Sequence, residues 1–245
     1  MIVRSPSGEY EMIDFRERAP AAAFQDMYNN NTDASLYGGL ASGIPGELRG
    51  LEYLHSAYGK LPWAALVEPS ISLAKNGFTI TEEFVYYMNS TTPSNAFLYE
   101  DPAWAIDFAP QGKLVEVGDV MTRHRYANTL ATIARCGPEA FYTGLIANAT
   151  ITTLRSSGGI MTLSDLRNYT AIIRKPIAID YRGFKVFSTS APSSGPVVLG
   201  VLKTVEGYSM GDLNALNLTT HLLDEAIRFG YGEVPSLHSL RLKPD

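Results

Sequence analysis

Apolar and polar positions alternate over Met1–Arg4 and again over Glu9–Phe15, with Ser5-Pro6-Ser7-Gly8 between them, which is the pattern of a β-hairpin. Pro20 suits the first position of a helix, and Ala21, Ala22, Ala23, Phe24 and Met27 predict one after it. An Asn-rich loop then runs to Tyr37-Gly38-Gly39. Leu48, Leu51, His55 and Tyr58 recur at helical spacing, and Gly59 is placed to end that helix. Pro62–Val67 and Pro69–Lys75 read as two short helices stopped at Asn76-Gly77. Thr81 ahead of Glu82-Glu83 predicts a helix start, because a hydroxyl caps free N–H groups and carboxylates suit the positive end of the dipole.

The second half repeats this alternation of helix and turn. Tyr126, Leu130 and Ile133 form one stripe of a helix over Thr122–Cys136, broken by Gly137-Pro138. A further helix is expected from Glu139 to the Ser156-Ser157-Gly158-Gly159 turn. Thr162-Leu163-Ser164-Asp165 has the form of a capping box with Asp in place of Glu. Pro176–Ser188 alternates as two strands joined at Arg182-Gly183. Ala191-Pro192-Ser193-Ser194-Gly195-Pro196 is a loop opening an apolar helix that ends near Glu206-Gly207, and a last helix runs from about Leu218 to Phe229. Glu233–Asp245 has no period. No internal repeat or linker divides the chain, so the economical reading is a single helix-rich α+β unit. Its two strand pairs cannot by themselves form a wide sheet.

Composition narrows the function classes. The chain has 245 residues, 45% hydrophobic and 18% charged, which excludes intrinsic disorder and leaves material for a real core. A net charge of −5 offers no basic field for nucleic acid, and the longest apolar run, Pro196–Leu202, is too short to cross a bilayer. The single cysteine, Cys136, permits no intramolecular disulfide, and the four histidines (His55, His124, His221, His238) lack metal-ligand spacing. The N-terminus carries no signal-peptide pattern. Yet Asn30, Asn89, Asn148, Asn168 and Asn217 each begin an Asn-x-Ser/Thr sequon, where chance supplies roughly one or two. Coincidence is one reading; a lumenal or secreted protein without its leader is the other.

Tests for self-contained chemistry mostly fail. Tyr37-Gly38-Gly39-Leu40-Ala41-Ser42-Gly43 lacks both phosphate-loop spacings and reads as a structural turn. Ser193-Ser194-Gly195 lacks the glycine that a nucleophile elbow needs two residues before its serine, and reads as a helix-entry loop in which a serine caps. Cys136, at a helix end with no histidine near it in sequence, reads as a buried inert thiol. Thr219-Thr220-His221 falls within an amphipathic helix, where the hydroxyls cap or bond back to the preceding turn. Arg16, between Asp14 and Glu17 where a strand ends, stands either as a solvated or salt-bridged side chain or as a substrate contact.

Longer stretches carry a family likeness. Ile13-Asp14-Phe15-Arg16-Glu17-Arg18-Ala19-Pro20, Gly38–Gly50, Tyr58-Gly59-Lys60-Leu61-Pro62-Trp63 and Glu68–Phe78 resemble, in order, segments of the γ-glutamyltranspeptidase family. The likeness continues through Gly137–Gly144, Gly158–Thr162 with Asp165-Leu166, Tyr181-Arg182-Gly183, Pro192-Ser193-Ser194-Gly195, and Glu225–Phe229 with Tyr231-Gly232. The resemblance implies an α+β fold, the helix-rich large-subunit part of an N-terminal-nucleophile hydrolase αββα sandwich. It assigns residues 1–232 to that large-subunit region and 233–245 to a divergent tail. It also implies transfer of the γ-glutamyl group of glutathione and related γ-glutamyl compounds to water or an amino acid, with no metal or organic cofactor. The N-terminal Thr of a small subunit cut from the same precursor would be the nucleophile and its α-amine the base.

Arg16 matches the family's large-subunit Arg, whose guanidinium holds the substrate α-carboxylate, and Glu17 follows it as a candidate to orient that fork. No catalytic residue is assigned to this chain. Its first residues fall inside the family pattern, and the tail after Gly232 departs from it, so the small subunit with its Thr is expected to lie outside and the polypeptide alone to be inactive. Location is expected in the secretory pathway: plasma membrane, vacuole or extracellular space. Three functional readings follow in order: a truncated γ-glutamyltransferase and glutathione hydrolase, a non-catalytic glutamyl-binding or decoy module, and an acylase-like amide hydrolase on the same scaffold.

Overall fold

A computed structural model describes residues 1–90, 94–211 and 215–232. In chain order its elements are β1 (Ile2–Arg4), β2 (Tyr10–Asp14), α1 (Glu47–Tyr58), α2 (Trp63–Asn76), β3 (Phe78–Thr79) and α3 (Glu82–Asn89). Next come α4 (Phe97–Glu100), α5 (Pro102–Phe108), β4 (Val120–Met121), α6 (His124–Cys136), α7 (Glu139–Tyr142), α8 (Gly144–Ser156) and α9 (Leu163–Arg167). The series ends with β5 (Ile172–Arg174), β6 (Ile177–Tyr181), β7 (Phe184–Ser188), α10 (Gly195–Glu206) and α11 (Leu216–Gly232). The tail at 233–245 lies outside the described residues.

Contacts divide the chain into two compact units rather than the single one expected. The first joins Met1–Glu17 to the described residues from Thr170 onward. Its sheet has the order β1-β2-β5, all antiparallel, with Met12 opposite Arg174, Ile13 opposite Ile173 and Asp14 opposite Ile172. Strands β6 and β7 form the expected hairpin, turned at Arg182 (φ 48°) and Gly183 (φ 83°), and α10 packs on them and on α11. Strand β5 was not legible because three residues carry no period; it exists because β2 pairs with it.

The second unit, Arg18–Tyr169, holds two apolar clusters. Ile44, Tyr142, Ala147, Met161, Leu166 and Tyr169 form one, and Ile80, Met88, Leu98, Val115 and Met121 the other. Helices α2 and α6 pack along each other, and Trp63 Nε1 donates to the Ile133 carbonyl at 3.1 Å. The Thr81 cap holds: its hydroxyl accepts from the Phe84 N–H at 3.2 Å.

Three helix predictions need correction. Residues 20–31 form successive turns, not a helix, since Phe24 stays 65% exposed and leaves no buried face to stabilise so short a helix; the Ala21 N–H donates to the Asp165 carboxylate at 2.9 Å. Pro69 does not split α2. Ala65 and Pro69 are both exposed, so water can satisfy the carbonyl that proline leaves without a donor. The helix expected from Glu139 breaks instead at Thr143-Gly144, where Gly144 has φ 72°.

Asp165 closes the capping box at the start of α9. One carboxylate oxygen accepts from the Thr162 N–H (2.8 Å) and hydroxyl (2.7 Å), the other from Ala21. Burial pushes this carboxyl up, but the Thr162 hydroxyl, the two backbone N–H groups and the Arg155 charge outweigh it and hold the carboxyl below its ordinary value. A lowered native value stabilises the fold fully above the ordinary carboxylate range, and that stabilisation is lost as pH falls through the native value. Asp165→Asn is therefore expected to cost about 1–3 kcal/mol at neutral pH and to flatten the acid limb of a melting-temperature profile. Parallel acid limbs in wild type and variant would refute this.

Candidate functional site

Strand β2 delivers Asp14 at its last residue and Arg16 and Glu17 just beyond it. The Arg16 N–H donates to Asp14 Oδ1 at 3.2 Å, and Asp14 Oδ2 accepts from Arg174 Nε, at the end of β5, at 2.8 Å. The Asp14 side chain is only 9% exposed. Arg16 Nε lies 3.3 Å from Glu17 Oε1, and both of those side chains are 59% exposed. A pair so open to water contributes about 1 kcal/mol or less, so an incoming carboxylate can displace Glu17 from the guanidinium fork. Arg18, in the same short motif, is used otherwise: its backbone bridges to Ile44 and its guanidinium lies over the Tyr169 ring at 5.4 Å. Of the motif's two arginines, Arg16 is thus ion-paired in solvent, whereas Arg18 packs on an aromatic ring.

The remaining candidates are placed as follows. Thr220 lies in α11 and its hydroxyl donates back to the Leu216 carbonyl at 2.9 Å. Ser193 accepts from the Thr189 hydroxyl at 2.8 Å in the loop entering α10. Ser194 occupies the N-cap position of α10, but its side chain makes no capping bond, contrary to expectation. Cys136 is exposed rather than buried, because it lies past Leu130 and Ile133, beside the Gly137 that ends α6. Gly39 sits in a structural turn, as expected; its N–H donates to the Ser157 carbonyl at 3.0 Å, and its backbone closely approaches that of Gly159. Among the described residues no three His, Cys, Asp or Glu side chains are grouped to hold a metal ion, and no helix is long and apolar enough to cross a membrane.

Sequence reasoning missed two constellations. The Asp14–Arg174 pair joins residues 160 positions apart, and only the unpredicted β5 brings them together. The other centres on Tyr142, whose hydroxyl donates to the Pro45 carbonyl at 3.0 Å and accepts from the Arg49 N–H at 3.3 Å. Burial pushes the Tyr142 hydroxyl up to about 12, against the opposing pull of the Arg49 N–H and charge. Arg49 stacks 4.3 Å from the Tyr142 ring centre and pairs with Glu52 (2.9 Å) and Glu139 (2.7 Å). Beside it a groove of about 690 Å³ is walled largely by apolar side chains, among them Leu48, Leu51, Trp63, Leu130, Ile133 and Phe141. His55 on its rim is occupied with the Leu61 carbonyl at 2.8 Å. This region has the character of packing, not of chemistry.

Comparison with known proteins gives the family. The family model described as gamma-glutamyltranspeptidase matches residues 1–237, and the chain belongs to that family. It is 56% identical over 234 residues to a glutathione hydrolase proenzyme of Arthroderma benhamiae, covering 95% of this chain and 40% of the relative. Among solved structures it is similar to the gamma-glutamyltranspeptidase of Helicobacter pylori (TM-score 0.86, 29% identity, 95% of this chain and 68% of that one). A cephalosporin acylase from Bacillus halodurans is also similar (TM-score 0.81, 27% identity, 93% and 43%). The fold is thus the helix-rich α+β portion of the N-terminal-nucleophile hydrolase architecture. The chain spans about two fifths of the length of the curated relatives it matches.

Proposed function

We propose that this chain is the large-subunit region, residues 1–232, of an enzyme that transfers the γ-glutamyl group of glutathione and related compounds to water or amino acids, and that Arg16 holds the donor's α-carboxylate. The observation that carries the reading is the exposed Arg16 fork at the exit of β2, inside a family match over nearly the whole chain. Charge-assisted, bidentate pairing makes such a fork selective for a carboxylate.

The chemistry needs a nucleophile that none of the placed candidates supplies, so the reading includes a small-subunit partner bearing an N-terminal Thr. Support comes from the first unit, which leaves Phe184 (74%), Phe229 (70%), Tyr231 (68%), Leu216 (60%) and Leu218 (57%) exposed. Large apolar side chains on one hairpin and one helix are what a partner would cover. The reading also places the protein in the secretory pathway, since all five sequon asparagines are exposed and available for glycosylation.

Secretion from a eukaryotic host tests these points together. The precursor joining this chain to the small subunit is expected to hydrolyse glutathione in the medium and to lose mass under N-glycosidase, while the 245-residue chain alone does not turn over. Turnover by the chain alone would overturn the partner requirement. A precursor that binds glutamate without turnover would leave the non-catalytic module, and one that cleaves other amides equally well would favour the acylase-like reading to which the Bacillus halodurans likeness points.

A further inference from the structure

We propose that Asp14 and Arg174 are positioning residues for Arg16, fixing where its guanidinium meets the substrate carboxylate; the inference rests on Arg16 being that carboxylate's receptor. Asp14 is the last residue of β2, its Cα opposite Ile172 of β5, and its side chain is 9% exposed. One carboxylate oxygen takes the Arg16 N–H at 3.2 Å and the other the Arg174 Nε at 2.8 Å. A single, largely buried side chain thus ties the main chain at Arg16 to two hydrogen-bonded strands. Arg16 is exposed just past the strand, and its ion pair with Glu17, itself 59% exposed, is by itself a weak tether. Binding that depends on a two-bond fork is sensitive to displacements of an ångström.

Charge supplies the second part of the argument. A carboxylate two residues before Arg16 would attract the Arg16 guanidinium and compete with substrate. Arg174 takes that charge through its own guanidinium while Asp14 holds the Arg16 backbone.

The test compares two donors on the enzyme assembled from the full precursor: a γ-glutamyl amide, and the same amide lacking the α-carboxylate. The ratio of their kcat/KM values measures carboxylate preference. Asp14→Ala and Arg174→Gln are each expected to lower that ratio about tenfold, through KM of the carboxylate-bearing donor, while the other donor changes less than about twofold. Asp14→Asn keeps an oxygen for the Arg16 N–H and Arg174→Lys keeps the charge, so each restores part of the preference. Equal losses for both donors would show a merely structural role and overturn the inference. Should Asp14→Ala fail to fold, Arg174→Gln, at a side chain 36% exposed, decides the matter by the same ratio. Arg16→Ala separates the two levels. If it leaves the preference intact, the receptor reading falls and this inference with it; if it abolishes the preference while the Asp14 and Arg174 variants do not, only this inference falls.

Discussion

Replacing Arg16 with alanine in the assembled enzyme is expected to raise KM for a γ-glutamyl donor about a hundredfold while kcat changes little. Two charge-assisted hydrogen bonds to a carboxylate contribute about 1.5–3 kcal/mol each, and the 59% exposure of the Arg16 side chain places the pair near the low end, about 3 kcal/mol. That is about two decades in an equilibrium constant. The α-carboxylate does not react, so its contacts are the same in ground and transition states, and losing them weakens binding rather than slowing the chemical step. Arg16→Lys recovers only part of the loss, since an ammonium is a point charge without the planar fork. Steady-state kinetics with donor above and below KM check this. A KM within about twofold of wild type for Arg16→Ala would remove Arg16 from the site.

Local signals were legible wherever a short stretch carries its own geometry. The Ser5–Gly8 hairpin, the Thr81 cap, the Thr162–Asp165 capping box and the Arg182-Gly183 turn are each decided within a few residues, and each is present. Several of the failures occur where a partner distant in sequence decides. The segment after Pro20 forms no helix because the fold offers Phe24 nothing to pack against, and it is held instead by Asp165, which takes the Ala21 N–H across 144 positions. Strands β3 and β4, two residues each, exist only as a pair. The site shows the same division. The place of Arg16 just past a strand was legible, whereas the Asp14–Arg174 link depends on β5, a strand with no pattern of its own. Cys136 was misjudged because the residue type is usually buried, while its position past the packed stripe of α6 is not.

Gly195→Ala is expected to lower stability by about 3 kcal/mol, enough to drop the melting temperature of a chain this size by about 6–12 °C. Gly195 is the first residue of α10, and a Cβ there would overlap the Thr189 carbonyl oxygen and lie 2.7 Å from Ser188 Oγ and 2.8 Å from the Thr189 carbonyl carbon. Two of those atoms are backbone at the end of β7, so no rotamer change relieves the contact; either the helix start or the strand end must move. Gly200, in the same helix, supplies the control, because a Cβ there meets nothing within 4 Å. Gly200→Ala should instead raise stability by about 0.5–1 kcal/mol through helix propensity. Opposite signs for one chemical change in one helix cannot come from propensity, so thermal melts of the two variants isolate the close approach. If both variants shift the same way by similar amounts, the contact between α10 and β7 does not have the tightness argued for it, and the loop carrying Pro192-Ser193-Ser194 is not anchored by Gly195.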